Sequence, residues 1–523
     1  MSLMPPPETH QYSFPALTDA TALLAHLQQG RQLRRLAPQT LHARYLDTFD
    51  WRLHQAGLAL LAQGDGEHWQ LELVTPGGEI SASDRATAPP RFARELADSA
   101  LQARLAELCD CRILLTRLET RVSRQPLEVL NADRKIVVRL AVEAHHDTGE
   151  DSGPLPPGLR VWAVRGYRRE LETVLEALHT LGAEPGPAMP LAAGLAARGI
   201  QPGDYDSKPR VDLNPGMRAD HALRAVLRAL LATVRANEAG TREDIDPEFL
   251  HDFRVAVRRT RAALGQCREI FPADSLGHFR GEFAWLGQIT GATRDLDVYL
   301  LHFDQLKASL PGAMQADLEP LREILRQHQR KAQQTLAALL AGERYRRLLI
   351  DWDGFLATGA VDSHPALAAE PIVAVARERI WRAYRRVVRD GRALGPDSPD
   401  EDFHELRKRC KKLRYLMEFF QALFPGGEIK TLIKALKGLQ ENLGAHQDQV
   451  VQADFLRQLA GELRADPGQL PTLLAMGALV ADLTGQQQTS RADFAARFGE
   501  FGSPEHRDSF RALFHPDGPG PRP

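Results

Sequence analysis

Two stretches of this sequence carry the same row of cations. They are His251-Asp-Phe-Arg254-Val-Ala-Val-Arg258-Arg259-Thr-Arg261 and His404-Glu-Leu-Arg407-Lys-Arg-Cys-Lys411-Lys412-Leu-Arg414. Each reads His, Arg at +3, basic residues at +7 and +8, and Arg at +10. Side chains of these types hold anions: arginine offers a forked set of donors, lysine a point charge, and histidine a donor that becomes charged near its pKa. On a helix, positions 0, +3, +7 and +10 fall within roughly 80° of one another. His251, Arg254, Arg258 and Arg261 then form one stripe, about 15 Å long. His404, Arg407, Lys411 and Arg414 form its counterpart, with Arg259 and Lys412 on the flanks. A linear row of cations matches a linear row of phosphates.

The helices that must position these stripes are also legible. Leu250, Phe253, Val257 and Leu264 in the first stretch, and Phe403, Leu406, Cys410, Leu413 and Met417 in the second, lie on a different face. Each helix therefore has one side for a core and one for an anion. Like charges at these spacings cost a few tenths of a kcal/mol per pair. The bland alternative is a solvated face bridged to neighbouring acids, and repetition of the whole pattern weighs against it. The offset, 404 − 251 = 153, also maps Leu286 onto Leu439, Gly291-Ala292 onto Gly444-Ala445, Asp295 onto Asp448 and Arg224 onto Arg377. A single offset held over this distance marks a duplicated unit. Packing about a pseudo-two-fold axis would bring equivalent helices around one groove. Arg224, Arg377, Arg385, Lys434 and Lys437 are expected to extend it.

Composition sets bounds. At 523 residues the chain is expected to hold two or three domains. Its 43% hydrophobic and 26% charged content is that of a globular protein, and its formal net charge of −2 means the cations are clustered, not abundant. Four cysteines in this length suit a reducing compartment. Cys109 and Cys111 are too close for usual metal spacing, and Cys267 and Cys410 read as core. His145-His146, beside Glu143 and Asp147, has no recognised ligand spacing, so no metal is expected. No phosphate-loop or dinucleotide glycine pattern occurs, and no cofactor is expected. Without a signal pattern or an apolar run of about 18 residues, a cytoplasmic protein with no membrane segment is expected.

Residues 1–210 read as an α+β domain rich in antiparallel strands. Arg44–Thr48, Gly57–Leu61, His68–Val74, Arg112–Val122, Leu127–Leu130, Lys135–Val142 and Val161–Arg165 have strand character. Phe92–Glu107 and Arg168–Leu181 read as helices, Asp147–Pro157 as a loop, and Pro185–Pro215 as a linker. From Met217 onward the pattern is helical, in two repeats at about 217–363 and 370–490, each expected to form a four-helix bundle. Asp351–His364 reads as the loop between them, Ile429–Leu443 and Gln447–Leu463 as separate helices, and 504–523 as a disordered tail.

The paired basic helices resemble the conserved-histidine α-helical domain, CHAD, over about residues 215–490. Asp246-Pro247-Glu248, Leu286-Gly with Gly291, Arg294, Asp295 and Asp297, and Tyr415 with Glu418 support the likeness. The resemblance implies a helical module that binds inorganic polyphosphate without established catalysis. The first 210 residues resemble a CYTH domain, the triphosphate-tunnel fold, through Tyr45-Leu46-Asp47-Thr48, Leu53, Gly57 and Leu60, with Gly166-Tyr167 and Asp206-Ser207-Lys208 as later echoes. Several of that family's positions differ here. Its N-terminal Glu-x-Glu-x-Lys is replaced by Gln11-Tyr-Ser-Phe-Pro, its Leu-Arg-x-Arg by Leu61-Ala62-Gln63, its Thr-x-Lys by Glu72-Leu73-Val74, and its paired-acid strand by Val138–Glu143. A tunnel hydrolase needs carboxylates for Mg²⁺ and cations for phosphate. With both sets incomplete, no catalytic residue is assigned, and the expectation is polyphosphate binding without hydrolysis, in the cytoplasm, with association with polyphosphate granules left open. One alternative is a triphosphatase in the first domain, fed by the helical one. A second is a nucleic-acid scaffold, which the lack of interleaved aromatics disfavours. Oligomeric state and chain-length preference stay open.

Overall fold

The computed structural model describes residues 9–13, 32–148, 155–266, 268–357, 365–395, 397–463 and 467–516. The chain divides into two compact units, Met1–Asp206 and Ser207–Pro523. Among the described residues, no helix is long and apolar enough to cross a membrane.

The first unit is one antiparallel sheet. Its strands are β1 (Thr9–Ser13), β2 (Gln32–Arg35), β3 (Gln39–Asp47), β4 (Ala59–Gly64), β5 (Trp69–Val74), β6 (Ile80–Ala86), β7 (Leu115–Leu130), β8 (Ile136–Asp147), β9 (Gly158–Ala163) and β10 (Glu184–Pro185). Their order is β10-β1-β9-β8-β7-β3-β4-β5-β6, with β2 beside β7. Four strands separate β9 from β5 in that order, which in a flat sheet would hold them about 24 Å apart. Yet Arg160 on β9 and Gln11 on β1 both hydrogen-bond Glu72 on β5, at 2.5 and 3.0 Å. The sheet is therefore curled, so that β1 and β9 face β5 across its interior.

Alternation along the strands divides the curled sheet into an outside and an inside. Helices α1 (Arg52–Gln55), α2 (Ala100–Cys109) and α3 (Arg168–Thr180) belong to this unit, as does α4 (Leu191–Ala197). Leu60, Leu71 and Leu73 pack with Leu101 and Leu105 of α2, and Leu140, Val142, Leu159 and Val161 pack with Leu171, Val174 and Leu178 of α3. The opposite face of β3, β4 and β7 packs with Met189 and with Leu191 and Leu195 of α4. Most of the expected Pro185–Pro215 linker is thus folded into the first unit. The proline and glycine content masked an apolar Met189–Leu195 segment that the sheet interior buries. Expected strands at Arg112–Val122 and Leu127–Leu130 are one strand, because β8 pairs with β7 from Thr120 to Leu130. Phe92–Glu107 is a short 3₁₀ turn at Ala93–Glu95 followed by α2. Part of the expected 147–157 loop, residues 149–154, lies outside the described residues.

The second unit is helical: α5 (Ala219–Arg242), α6 (Pro247–Gln266), α7 (Ala273–Ile289), α8 (Gly291–Leu301), α9 (Phe303–Ala308), α10 (Gly312–Gln315), α11 (Glu319–Leu340), α12 (Glu343–Ala357), α13 (Ile372–Ala393), α14 (Asp400–Phe419), α15 (Gly426–Leu463), α16 (Leu470–Phe501) and α17 (Pro504–Phe514). The starts of α13, α14 and α15 follow those of α5, α6 and α7 by the same step: 372 − 219, 400 − 247 and 426 − 273 each equal 153. The repeats face each other across a local two-fold. Ala219 N donates to Glu370 O at 2.9 Å, and Ile372 N donates to Met217 O at 2.8 Å. These are equivalent bonds, since 219 + 153 = 372 and 217 + 153 = 370.

One core runs through both repeats, uniting Leu223, Leu227, Phe253 and Phe283 with Ile380, Phe403, Leu413 and Leu436. A second core joins α8 and α11 to the distal parts of α15 and α16. The expected pseudo-symmetric bundles are thus packed together through cores that both repeats build. The physical reason is that the apolar faces of α6 and α14 are buried against each other's half as well as their own. Ile429–Leu443 and Gln447–Leu463 are a single 38-residue helix, whereas the equivalent stretch of the first repeat breaks at Thr290 between α7 and α8. Arg254 Nη1 takes the Gly287 carbonyl there at 3.1 Å, in competition with the helical bond that residue would otherwise receive. The expected loop at Asp351–His364 is helical as far as Ala357, and 358–364 lie outside the described residues. The expected disordered tail is corrected for 504–514. These residues form α17, whose Phe510 stacks on Tyr384 at 3.9 Å between ring centres while Phe514 meets Phe424 at 4.9 Å. Residues 517–523 lie outside the described residues.

Candidate anion-binding site

Helices α6 and α14 bring their cationic faces to one place. Arg258 and Arg261 of α6, and Lys408, Lys411 and Lys412 of α14, line a cleft of about 600 Å³ together with Arg280 of α7. Arg258 and Lys411 are equivalent positions, 258 + 153 = 411. Lys411 is pushed down to about 8, first by burial and then by the Arg407 and Arg258 guanidiniums. The partners of the two-fold therefore crowd one another electrostatically. Asp295 and Asp448, also equivalent, do the same: burial raises the Asp295 carboxyl, Arg254 and Arg294 oppose this, and Asp448 adds to it.

Among the described residues, no carboxylate lines the cleft. Among the described residues, Arg258, Arg261, Arg280, Lys411 and Lys412 have no acidic side chain within ion-pair distance, and Lys408 alone of the lining cations is bridged, to Glu405. Arg258 Nε donates to Tyr415 Oη at 2.8 Å, which aims the guanidinium across from α6 to α14. Unpaired cations held this close are costly, and an anion would relieve the repulsion.

The other expected site residues divide. Arg254 is half-buried and donates to the Gly287 carbonyl and to Thr290 Oγ1 at 2.9 Å, and burial pulls it below the usual arginine range. It serves the end of α7. Arg407 bonds Asp448 at 3.0 Å, His404 Nδ1 lies 2.6 Å from Gln447 Oε1, and Arg414 sits 3.7 Å from Glu418. These three face α15 or their own helix, and they hold the stripe in place rather than line the cleft. His251 is half-buried on the same face of α6. Arg259 is 4% exposed, with Phe419 at 5.1 Å and Glu418 at 3.8 Å. Arg224 is corrected: it is 8% exposed, bonds the Phe355 carbonyl, and stacks on Phe271 and Phe355, so it belongs to the core. Arg377 is half-buried with an unpartnered Nε; Arg385, Lys434 and Lys437 are exposed, and none of these four lines the cleft. Arg280 and Lys408 were missed. Lys408 lay inside the second motif, but Arg280, a lone cation on α7, carried no sequence signal.

The first unit's interior is the other candidate. Tyr45-Leu46-Asp47-Thr48 does structural work there. Asp47 accepts from the backbone amides of Thr48, Leu53 and His54 at 2.7–3.0 Å and from Tyr45 Oη at 3.0 Å, tying β3 to α1. Two carboxylates at the heart of this interior are Glu72 and Glu143. Glu72 holds Arg160 and Gln11, while Glu143 meets Arg124 at 2.6 Å, Arg160 at 3.2 Å and Gln63 at 3.1 Å. His145 Nε2 sits 3.0 Å from the Ala188 carbonyl, and burial pushes this histidine down to about 4. The fit to a metal-dependent tunnel is poor. Both carboxylates are already paired with arginine, and no group of three metal-ligating side chains occurs among the described residues. The segment around Ala188 also lies across β9: a Cβ on Gly158 would stand 1.5 Å from the Ala188 oxygen.

Comparison with known proteins places the helical unit. Residues 225–457 match the CHAD domain model. Two curated relatives, uncharacterized proteins of Mycobacterium tuberculosis strains CDC 1551 / Oshkosh and ATCC 25618 / H37Rv, are each 27% identical over 332 residues, covering 61% of this chain and 61% of theirs. The chain thus spans about 61% of the length of the curated relatives it matches. Among solved structures, the CHAD domain from the plant Ricinus communis is 25% identical, covers 58% of this chain and 96% of its own, and has a TM-score of 0.48. A putative adenylyl cyclase from Hippeastrum, reported with a dominant triphosphatase activity, is 12% identical, covers 38% of this chain and 100% of its own, and has a TM-score of 0.25.

Proposed function

We propose that this chain, whose residues 225–457 carry a CHAD domain, binds inorganic polyphosphate through the α6–α14 cleft and does not hydrolyse it. The observation that carries the reading is the cleft itself: among the described residues, six cations from α6, α7 and α14, drawn from both repeats, line it, and no carboxylate does. A chain of phosphates supplies the repeated negative charge that such a surface lacks. Tyr415, the aromatic in that lining, has its hydroxyl engaged by Arg258. Its ring is only 4% exposed and lies under Arg414, which offers little face for a base and favours inorganic phosphate over nucleic acid. The paired carboxylates inside the first unit support binding over turnover. Titration of the full chain with polyphosphate, beside a phosphate-release assay with Mg²⁺ or Mn²⁺, tests both halves. Saturable binding with no release is expected; release that co-purifies with the protein would overturn the non-catalytic reading.

A pH dependence follows from Lys411. Its folded-state pKa of about 8 lies below the ordinary 10.5. Bound phosphate stabilises the ammonium, so binding takes up a proton above pH 8. Affinity is expected to fall by up to about tenfold per pH unit as pH rises through that value. For folding the sign is opposite: the penalty of the charged, half-buried ammonium is present below pH 8 and is relieved as pH rises from there toward 10.5. Isothermal titration from pH 7.5 to 9.5 at constant ionic strength checks the first statement. Lys411→Arg should flatten the profile, since arginine stays charged.

A further inference from the structure

We propose that a second cleft, opening beside the first, is an anion subsite that receives the continuation of a condensed-phosphate chain seated between α6 and α14. The proposal rests on the polyphosphate reading above and extends it to residues outside the repeated motif.

The second cleft encloses about 430 Å³ and shares Gly265, Arg280 and Lys412 with the first, so the two are continuous. Five further arginines complete it: Arg268, Arg379, Arg382, Arg386 and Arg409. Among the described residues, no carboxylate lines it. Three of these arginines are partly neutralised from outside: Arg379 by Glu269 at 3.4 Å, Arg382 by Glu378 and Arg409 by Asp390. Among the described residues, Arg268, Arg280, Arg386 and Lys412 have no acid within ion-pair distance. Two donors in the lining also lack a hydrogen-bond partner, Gln266 Nε2 and Arg379 Nε, each on a side chain of a residue only 8% exposed. Buried donors without acceptors are rare and call for an explanation. Burial lowers Lys412, and Arg386, Arg268, Arg280 and Arg379 lower it further.

The pseudo-two-fold provides an internal control. The position equivalent to Lys412 is Arg259, whose surroundings are closed by Glu418 and Phe419. The residues 153 positions earlier than Glu418 and Phe419 are Gly265 and Gln266, which line the open cleft. A Cβ on Gly265 would meet nothing within 4 Å. The other six cations have uncharged equivalents: Val226, Ala229, Thr233 and Ala256 for Arg379, Arg382, Arg386 and Arg409, and Gln421 and Ile433 for Arg268 and Arg280. The second cleft is therefore not a by-product of duplication. The space is open and filled with cations on one side of the pseudo-two-fold, with residues of both repeats lining it.

The test compares tripolyphosphate with a long-chain polyphosphate, each titrated into the full chain. Arg268→Ala/Arg386→Ala removes two exposed guanidiniums of the second cleft. It is expected to lower long-chain affinity at least about tenfold while changing tripolyphosphate affinity less than about twofold. Arg346→Ala/Arg347→Ala, on the exposed face of α12, controls for lost charge. Unchanged long-chain affinity in the first variant, or an equal loss in the control, overturns the subsite. The underlying reading fails separately, if the wild-type chain binds neither probe or if Arg258→Ala/Lys411→Ala binds both normally.

Discussion

Replacing Arg258 and Lys411 together with alanine is expected to cost more than a hundredfold in affinity for long polyphosphate. Each donates charge to the same cleft from an equivalent position on its repeat. A hydrogen bond to a charged group contributes roughly 1.5–3 kcal/mol, so the pair reaches about 3 kcal/mol at the low end, which is more than a hundredfold in Kd. The slope of log affinity against log salt should also become shallower by about 1.4, at about 0.7 per lost contact. The variant should melt close to wild type, since relief of the mutual repulsion offsets the lost Arg258–Tyr415 hydrogen bond. Calorimetric titration at several salt concentrations reads all of this. If the two repeats held independent sites, Arg258→Ala alone would halve the stoichiometry and leave affinity at the other stripe intact. That pattern would refute the shared cleft.

Glu143→Ala is expected to destabilise the first unit by about 3–5 kcal/mol, because it strands Arg124 and Arg160 inside the curled sheet without their shared partner. Arg160 keeps Glu72, but Arg124 is left with Gln63 alone. The arginines beside Glu143 hold its carboxyl below the usual range despite complete burial. For a domain of this size the loss corresponds to a fall in Tm of roughly 6–20 °C. Thermal unfolding followed by circular dichroism measures it, with the helical unit's transition as an internal reference. Glu143→Gln, which retains an acceptor, should fall between the two. A shift under about 1 kcal/mol would mean that water screens the network, and the burial assigned to Glu143 and its arginines would be wrong.

The helices of the second unit and their duplication could be read from periodicity and repetition alone. Spacing of His251, Arg254 and Arg258 against Phe253 and Val257 assigns one face to charge and the other to the core, since helix geometry depends on local sequence. The first unit was harder. Its strands were found, but Met189 and Leu195 looked like linker residues, because what makes them interior is the curvature of a sheet formed far away in sequence. Prolines and glycines near 504 likewise hid α17, whose aromatic side chains are held by Tyr384 and Phe424.

Within the site, the sequence by itself determined that two cationic helices exist, that they are copies, and which side of each is polar. Only the tertiary structure decided which cations are available to a ligand. Arg254, Arg259 and Arg224 share the chemistry of Arg258 yet are spent on a helix end, on Glu418 and Phe419, and on the Phe355 carbonyl. Arg280 and Arg386, outside any motif, face open clefts. The physical reason is that a guanidinium's role depends on the acceptors within about 3 Å of it, and those acceptors come from other helices, 33 residues away for Arg254 and 131 for Arg224, brought close by packing that no local pattern encodes.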